Sequence, residues 1–295
     1  HCQIVNDVCV LASTGRVASC DGTVHIWNGQ TGVLISAFSE SSSASKTSDR
    51  EDNLFHFNQL SSGILSTSFH GNSFTTMDYL DFNNRLIVGT GNGSLRFIDV
   101  ERGQKLHLWR SEYLESGFAP LISSVCSSVV KSEQNIAFPS WIAAAYSTGL
   151  SKIFDMKSGK VIASWQAHDG YVTKLAASAD HQLISSSLDK TLRIWDLRRS
   201  WTSQHTVFRG YGDGVSSFSV WGQNVISVCK NKICLSSLHG LSDQVNKSMH
   251  QVGLQNLYTA DGESKNASVL SYVRILPLSR LFVVGTEDGF LKICC

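Results

Sequence analysis

Long hydrophobic runs are missing from this 295-residue chain. No segment is apolar for the length needed to cross a bilayer as a helix, and no signal peptide is recognisable. An excess of one charge sign is missing too. Lys plus Arg number 25 against 24 Asp plus Glu, a formal charge of +1, so there is no global pull toward nucleic acid or an anionic membrane, and a charged partner must meet a local patch. The cysteines, Cys2, Cys9, Cys20, Cys126, Cys229, Cys234, Cys294 and Cys295, form no CxxC pair and no Cys/His spacing of a zinc site. Most lie in apolar alternating runs and read as reduced, small core residues, and neither a metal nor a cofactor is expected. Sequons at Asn92, Asn246 and Asn266 are weak signs of secretion, because a serine-rich chain produces them by chance. Helical periodicity is scarce as well, which argues against a helical solenoid.

What the chain does contain is a repeat. An aliphatic run, a polar turn and a strand closing on an apolar or aromatic residue recur as VASCDGTVHIW from Val17, LIVGTGNGSLRFI from Leu86, IAAAYSTGLSKIF from Ile142, LISSSLDKTLRIW from Leu183, VISVCKNKICLS from Val225 and LFVVGTEDGFLKIC from Leu281. The closing residues are Trp27, Ile98, Phe154, Trp195, Ser236 and Cys294, spaced by 71, 56, 41, 41 and 58. A unit of about 40 residues with strand alternation and frequent turns predicts an all-β propeller of radial four-stranded sheets. The longer spacings are assigned to polar, turn-rich insertions near 39–53, 111–120 and 239–268. The first of these, around Ser48, is expected to be a plain flexible loop, with phosphorylation as the alternative. In the fourth copy Leu192, Ile194 and Trp195 read as one buried face.

These copies resemble WD40 repeats over nearly the whole chain. Trp27 and Trp195 match the family's tryptophan and Asp196 its aspartate. Asp21 and Asp189 match the turn aspartate, and His1 and His168, each followed four residues later by valine, match the histidine. The resemblance implies six blades in residues 1–295, read as a single domain, with the last blade incomplete. It also implies an excerpt of a longer protein whose closed ring has seven blades, or alternatively eight. A buried indole N–H without an acceptor costs about 1–3 kcal/mol. The family's serine-and-histidine bridge to the turn aspartate is therefore expected here from Ser186 or Ser187, His168 and Asp189. The same trio invites a hydrolase reading, but the serine lies in a strand rather than on a strained elbow, and structural bridging also explains why the residues repeat.

A propeller of this family implies a noncatalytic platform for other proteins, or for other domains of the same chain, with no nucleic acid partner and no membrane insertion. Arg198, Arg199 and Trp201, placed by the family's strand directions near Trp221, are the candidate partner-binding patch. The residues Asp189, Ile194, Trp195, Asp196, Leu197 and Arg198 also resemble the WDxR box of substrate receptors of cullin-RING ubiquitin ligases. The divergent repeats and the segment GDGVSSFSVWGQNVISVCKNKICLSSL resemble the C-terminal propeller of plant BEACH-domain proteins carrying a kinase-like region. That resemblance implies vesicle, endosomal and vacuolar trafficking from a cytoplasmic position, peripheral to endosomal membranes.

Overall fold

The computed structural model describes residues 4–40, 73–110, 119–128, 141–156, 158–179, 182–197, 204–230, 232–238, 269–276 and 281–294. The insertions predicted near 39–53, 111–120 and 239–268 lie almost wholly outside the described residues.

Within the described residues the chain forms six antiparallel sheets in sequence order. The first is β1 (Asp7–Leu11), β2 (Arg16–Cys20), β3 (Val24–Asn28) and β4 (Leu34–Phe38). The second is β5 (Phe74–Leu80), β6 (Arg85–Thr90), β7 (Leu95–Asp99) and β8 (Gln104–Trp109). The third is β9 (Ile122–Ser127), β10 (Trp141–Tyr146), β11 (Leu150–Asp155) and β12 (Val161–Gln166). The fourth is β13 (Val172–Ala179), β14 (Gln182–Ser187), β15 (Leu192–Asp196) and β16 (Gln204–Phe208). The fifth, β17 (Ser217–Trp221), β18 (Asn224–Cys229) and β19 (Lys232–Ser237), and the sixth, β20 (Leu270–Ile275), β21 (Phe282–Thr286) and β22 (Leu291–Cys294), are described with three strands each. The architecture is a six-bladed β-propeller.

The register reproduces the repeat. Val17 stands opposite Trp27, Leu86 opposite Ile98, Ile142 opposite Phe154, Leu183 opposite Trp195 and Val225 opposite Ser236. Only the sixth copy slips: Cys294 pairs with Phe282, one residue after the Leu281 that begins its run. The turn between second and third strands has a left-handed residue in every blade, Gly22, Gly93, Gly149, Lys190, Lys230 and Gly289. Four of the six are glycine because a side chain is strained there. At Gly149 even a methyl group would come 2.1 Å from the His168 carbonyl oxygen.

Each sheet buries one face against the next. Cys20, Ile26, Phe74 and Val88 fill the first interface, Ile87, Ile122, Ile142 and Phe154 the second, and Trp165, Leu183 and Trp195 the third. Ile184, Phe218 and Val225 fill the fourth, and Val228, Val273 and Val284 the fifth. Leu192 and Ile194 belong to the fourth interface and Trp195 to the third, which corrects the reading of these three as one face. Neighbours in a strand point to opposite sides, so Trp195 shares its side with Arg193 instead.

The innermost strands β1, β5, β9, β13, β17 and β20 pack on one another in turn. Polar side chains join each to the main chain of the next. Asp7 Oδ2 accepts the Met77 N–H at 2.9 Å, Asp78 Oδ2 the Ser127 N–H at 2.9 Å and Ser124 Oγ the Leu175 N–H at 3.0 Å. Lys174 Nζ donates to the Phe218 carbonyl at 2.8 Å, and Ser219 Oγ accepts the Ile275 N–H at 3.2 Å.

Candidate functional site

The polar trio of the fourth blade lies where the loop after β12 meets the β14–β15 turn. Gly149 O accepts the Ala167 and His168 N–H groups at 2.9 and 3.1 Å, which fixes the His168 backbone. The turn is tied by Asp189: its Oδ1 accepts the Thr191 N–H at 3.0 Å and the Thr191 hydroxyl at 2.6 Å. An aspartate does this because its short carboxylate reaches the backbone two residues on.

His168, fully buried, connects the turn to the tryptophan. Trp195 Nε1 donates to Ser185 Oγ at 2.9 Å, Ser185 Oγ meets His168 Nε2 at 2.7 Å, and His168 Nδ1 meets Asp189 Oδ2 at 2.9 Å. Since the carboxylate can only accept, Nδ1 carries the proton and Nε2 accepts the serine hydroxyl. Every donor in the relay then has an acceptor.

The bridging serine is Ser185, which corrects the expectation of Ser186 or Ser187. Ser186 points to the other side of the sheet, where its hydroxyl meets Thr173 Oγ1 at 2.7 Å. Ser187 shares the side of Ser185 but lies beyond the β14–β15 ladder and accepts the Asp189 N–H at 3.0 Å. Period-two alternation from Leu183, which faces Trp195, selects Ser185. Arg193 was not legible as a member of this network. Its buried guanidinium donates to Thr191 Oγ1 at 3.1 Å and to Asp189 Oδ2 at 3.2 Å.

Burial raises the Asp189 pKa, but hydrogen bonds from His168, Thr191 and the Asp169 N–H outweigh it and hold the carboxyl well below the usual range. The serine oxygen is enclosed and engaged by both the indole and the imidazole. The trio is thereby built into the blade rather than presented to a substrate.

The first blade carries a variant. Trp27 Nε1 donates to Ser19 Oγ at 2.7 Å, and His25, across the strand pair from Ser19, stacks on Trp27 at 5.9 Å and lies 3.5 Å from Asp21 Oδ1. His1 lies outside the described residues. In the second, third and sixth blades Val88, Ala144 and Val284 occupy the serine's place.

The fifth blade, which lacks the indole, has a polar contact of its own. Tyr211 stands four residues before Val215, as His168 stands before Val172, and its hydroxyl meets Ser227 Oγ at 3.0 Å. Phenol replaces imidazole at the same place, and burial pushes its pKa up to about 12.

Of the expected partner-binding residues, Arg198, Arg199 and Trp201 lie outside the described residues. Trp221 ends β17 beside Gly222 and is 50% exposed, so it stands out of the surface rather than packing between sheets. Within the WDxR-box residues, Ile194, Trp195, Asp196 and Leu197 are buried. Among the described residues no cluster of His, Cys, Asp and Glu could hold a metal ion, and no helix is long and apolar enough to cross a membrane.

Six radial sheets, five of them in one register, make this chain a β-propeller, and the indole-to-carboxylate relay of the fourth resembles that of a WD40 repeat. Residues 159–196 match the family model described as WD domain, G-beta repeat. Over the whole chain it is 50% identical to Protein GFS12 of Arabidopsis thaliana, of which it spans 18%. It is 29% identical over 71% of its length to the probable inactive serine/threonine-protein kinase lvsG of Dictyostelium discoideum, spanning 10% of that protein. It is 23% identical over 99% of its length to WD repeat-containing protein 81 of Homo sapiens, spanning 13%. The chain therefore covers less than a fifth of these relatives. Among solved structures, the RRP9 WD40 repeats superpose with a TM-score of 0.69 at 11% identity, over 99% of this chain and 76% of that one. The match to a chain of the mitotic checkpoint complex has a TM-score of 0.63 at 18% identity, over 95% and 70%.

Proposed function

We propose that this propeller is a noncatalytic protein-interaction platform within a larger BEACH-type protein that acts in endosomal and vacuolar vesicle trafficking. The observation that carries the platform reading is the division of labour among polar and aromatic residues. The Ser185–His168–Asp189 relay is consumed inside the fourth blade, while Trp221 stands half exposed at a tight turn. Exposed aromatic anchors on stable scaffolds suit protein recognition. The trafficking reading rests on half identity to GFS12 over the whole chain and on likeness to WD repeat-containing protein 81. The lvsG relative, named as a probable inactive kinase, fits a propeller that shares its polypeptide with a kinase-like region. The chain sits in the cytoplasm, peripheral to endosomal membranes, and binds other proteins or other domains of its own polypeptide.

Charge reversal of Arg198 and Arg199 in the full-length protein tests the patch together with the pathway. Expected are loss of co-purified proteins, a delay in delivery of a fluorescent vacuolar cargo, and an unchanged melting temperature. Normal cargo delivery with undiminished recovery of partners would overturn the reading. Recovery of a cullin-RING adaptor that disappears on Arg198→Ala would replace it with the ubiquitin-ligase alternative.

A further inference from the structure

Two cations meet where the innermost strands pack around the ring. Lys174 extends from β13 past β17 to β20: its ammonium donates to the Phe218 carbonyl at 2.8 Å and, more weakly, to Ser217 Oγ and Tyr272 Oη, each at 3.4 Å. It also lies 4.4 Å from the centre of the Tyr272 ring. Arg274 follows Tyr272 by two residues on β20, so the two share a side, opposite to that of Val273, which is buried against the fifth blade. Arg274 in turn donates to the Tyr272 hydroxyl. One phenolic oxygen therefore accepts from two cations, and its own hydrogen has to find an acceptor elsewhere.

Neither cation has a carboxylate to itself. Among the described residues Lys174 and Arg274 form no ion pair. Asp7 is the carboxylate whose charge Lys174 feels, but its oxygens are taken. Its Oδ1 accepts the Val8 N–H at 2.9 Å, and its Oδ2 the Met77 N–H at 2.9 Å and the Thr76 hydroxyl at 3.0 Å. Burial, and then the charge of Arg274, push the Lys174 pKa down to about 8 against the opposing pull of Asp7. Arg274 is exposed and Tyr272 is 43% exposed, so a solute can reach them from solvent.

We propose that Lys174, Tyr272 and Arg274 form a binding site for a small tetrahedral dianion, with inorganic phosphate as the ligand. What these side chains have left to offer is donors: the guanidinium fork, the ammonium and the phenolic O–H. A guanidinium fork matches two phosphate oxygens, and an ammonium adds a point charge. The remaining oxygens of a tetrahedral anion can accept the phenolic hydrogen. A carboxylate fits less well, because its two oxygens lie in one plane and its single charge leaves one of the two cations unbalanced. A dianion also relieves the repulsion between Lys174 and Arg274 and favours the charged form of the lysine.

Equilibrium dialysis of the full-length protein against radiolabelled inorganic phosphate, with ionic strength fixed by potassium chloride, tests the site. A saturable component is expected that sulfate displaces and acetate does not. Arg274→Gln is expected to weaken that component about tenfold or more, and Tyr272→Phe by a few-fold. Arg274→Lys keeps the charge but loses the fork, and is expected to fall between the wild type and Arg274→Gln. Because Arg274 is exposed, these losses should come with an unchanged melting temperature. Lys230→Gln, which removes an exposed lysine paired with Asp213, should leave phosphate binding as it was. Absence of a saturable component would overturn the proposal, as would binding that survives both Arg274→Gln and Tyr272→Phe. Equal loss on Lys230→Gln would reduce the effect to general attraction by surface lysines and would also overturn it. Displacement by acetate as readily as by sulfate would overturn the choice of a tetrahedral dianion.

Discussion

At the scale of single residues, the energetics of the fourth blade turn on one hydroxyl. Ser185 is the acceptor for Trp195 and the donor to His168, so Ser185→Ala strands an indole N–H and an imidazole nitrogen in the interior at a cost of about 2–3 kcal/mol. Ser186→Ala should cost less than about 1 kcal/mol, because Thr173 keeps its bond to the Val215 carbonyl. Thermal unfolding separates the two. Asp189 adds a pH dependence whose sign follows from its depressed pKa: its stabilising contribution is present above the ordinary carboxylate value of 3.8 and is lost as pH falls through the lower folded value. The melting-temperature gap between the wild type and Asp189→Asn should therefore be widest near neutrality and narrow in acid; a constant gap would show that the carboxylate charge is idle. The tryptophan, histidine and aspartate positions were legible through the resemblance of the copies to WD40 repeats. The serine was not, because three consecutive serines look alike until the register shows which one shares a side with Trp195. Arg193 and Tyr211 escaped for another reason, as neither is the residue type expected at its place.

At the scale of strands and sheets, Lys174 is the informative case. It reaches from β13 to the Phe218 carbonyl, and its ammonium lies 4.4 Å over the ring of Tyr272 on β20, so it links three blades. Burial, and then the charge of Arg274, push its pKa down to about 8, while Asp7 opposes the shift. The folded protein therefore gives up this proton before the unfolded chain does. Stability from this group rises with pH between about 8 and the ordinary 10.5. Denaturation midpoints for the wild type and Lys174→Met at both ends of that window should show a positive difference in slope. Equal slopes would mean that Lys174 is not held at a cost. In the fifth blade, Tyr211→Phe should lower stability by about 1 kcal/mol by removing the bond to Ser227, and an unchanged melting temperature would reduce that contact to packing. Blade boundaries were legible because alternation and turn chemistry repeat locally. The links between inner strands were not, since a polar residue in a strand does not announce which neighbouring sheet it reaches.

At the scale of the whole molecule, the chain is a succession of sheets that use their most reactive-looking residues for cohesion, and the proposed function assigns recognition to the exposed Trp221. The fold class followed from the period, and five of six register pairs follow from aligning the copies. The proposed recognition surface was only partly legible. An exposed tryptophan and a buried one have the same local sequence signature, and only the packing of blades sets Trp221 apart from Trp195. The most direct measurement compares partner recovery by full-length Trp221→Ala and Ser185→Ala at a temperature where both remain folded. Expected is loss of partners with an unchanged melting temperature for Trp221→Ala, and retained partners with a lowered melting temperature for Ser185→Ala. The reverse pattern would contradict the assignment of the relay to architecture and of the exposed indole to recognition.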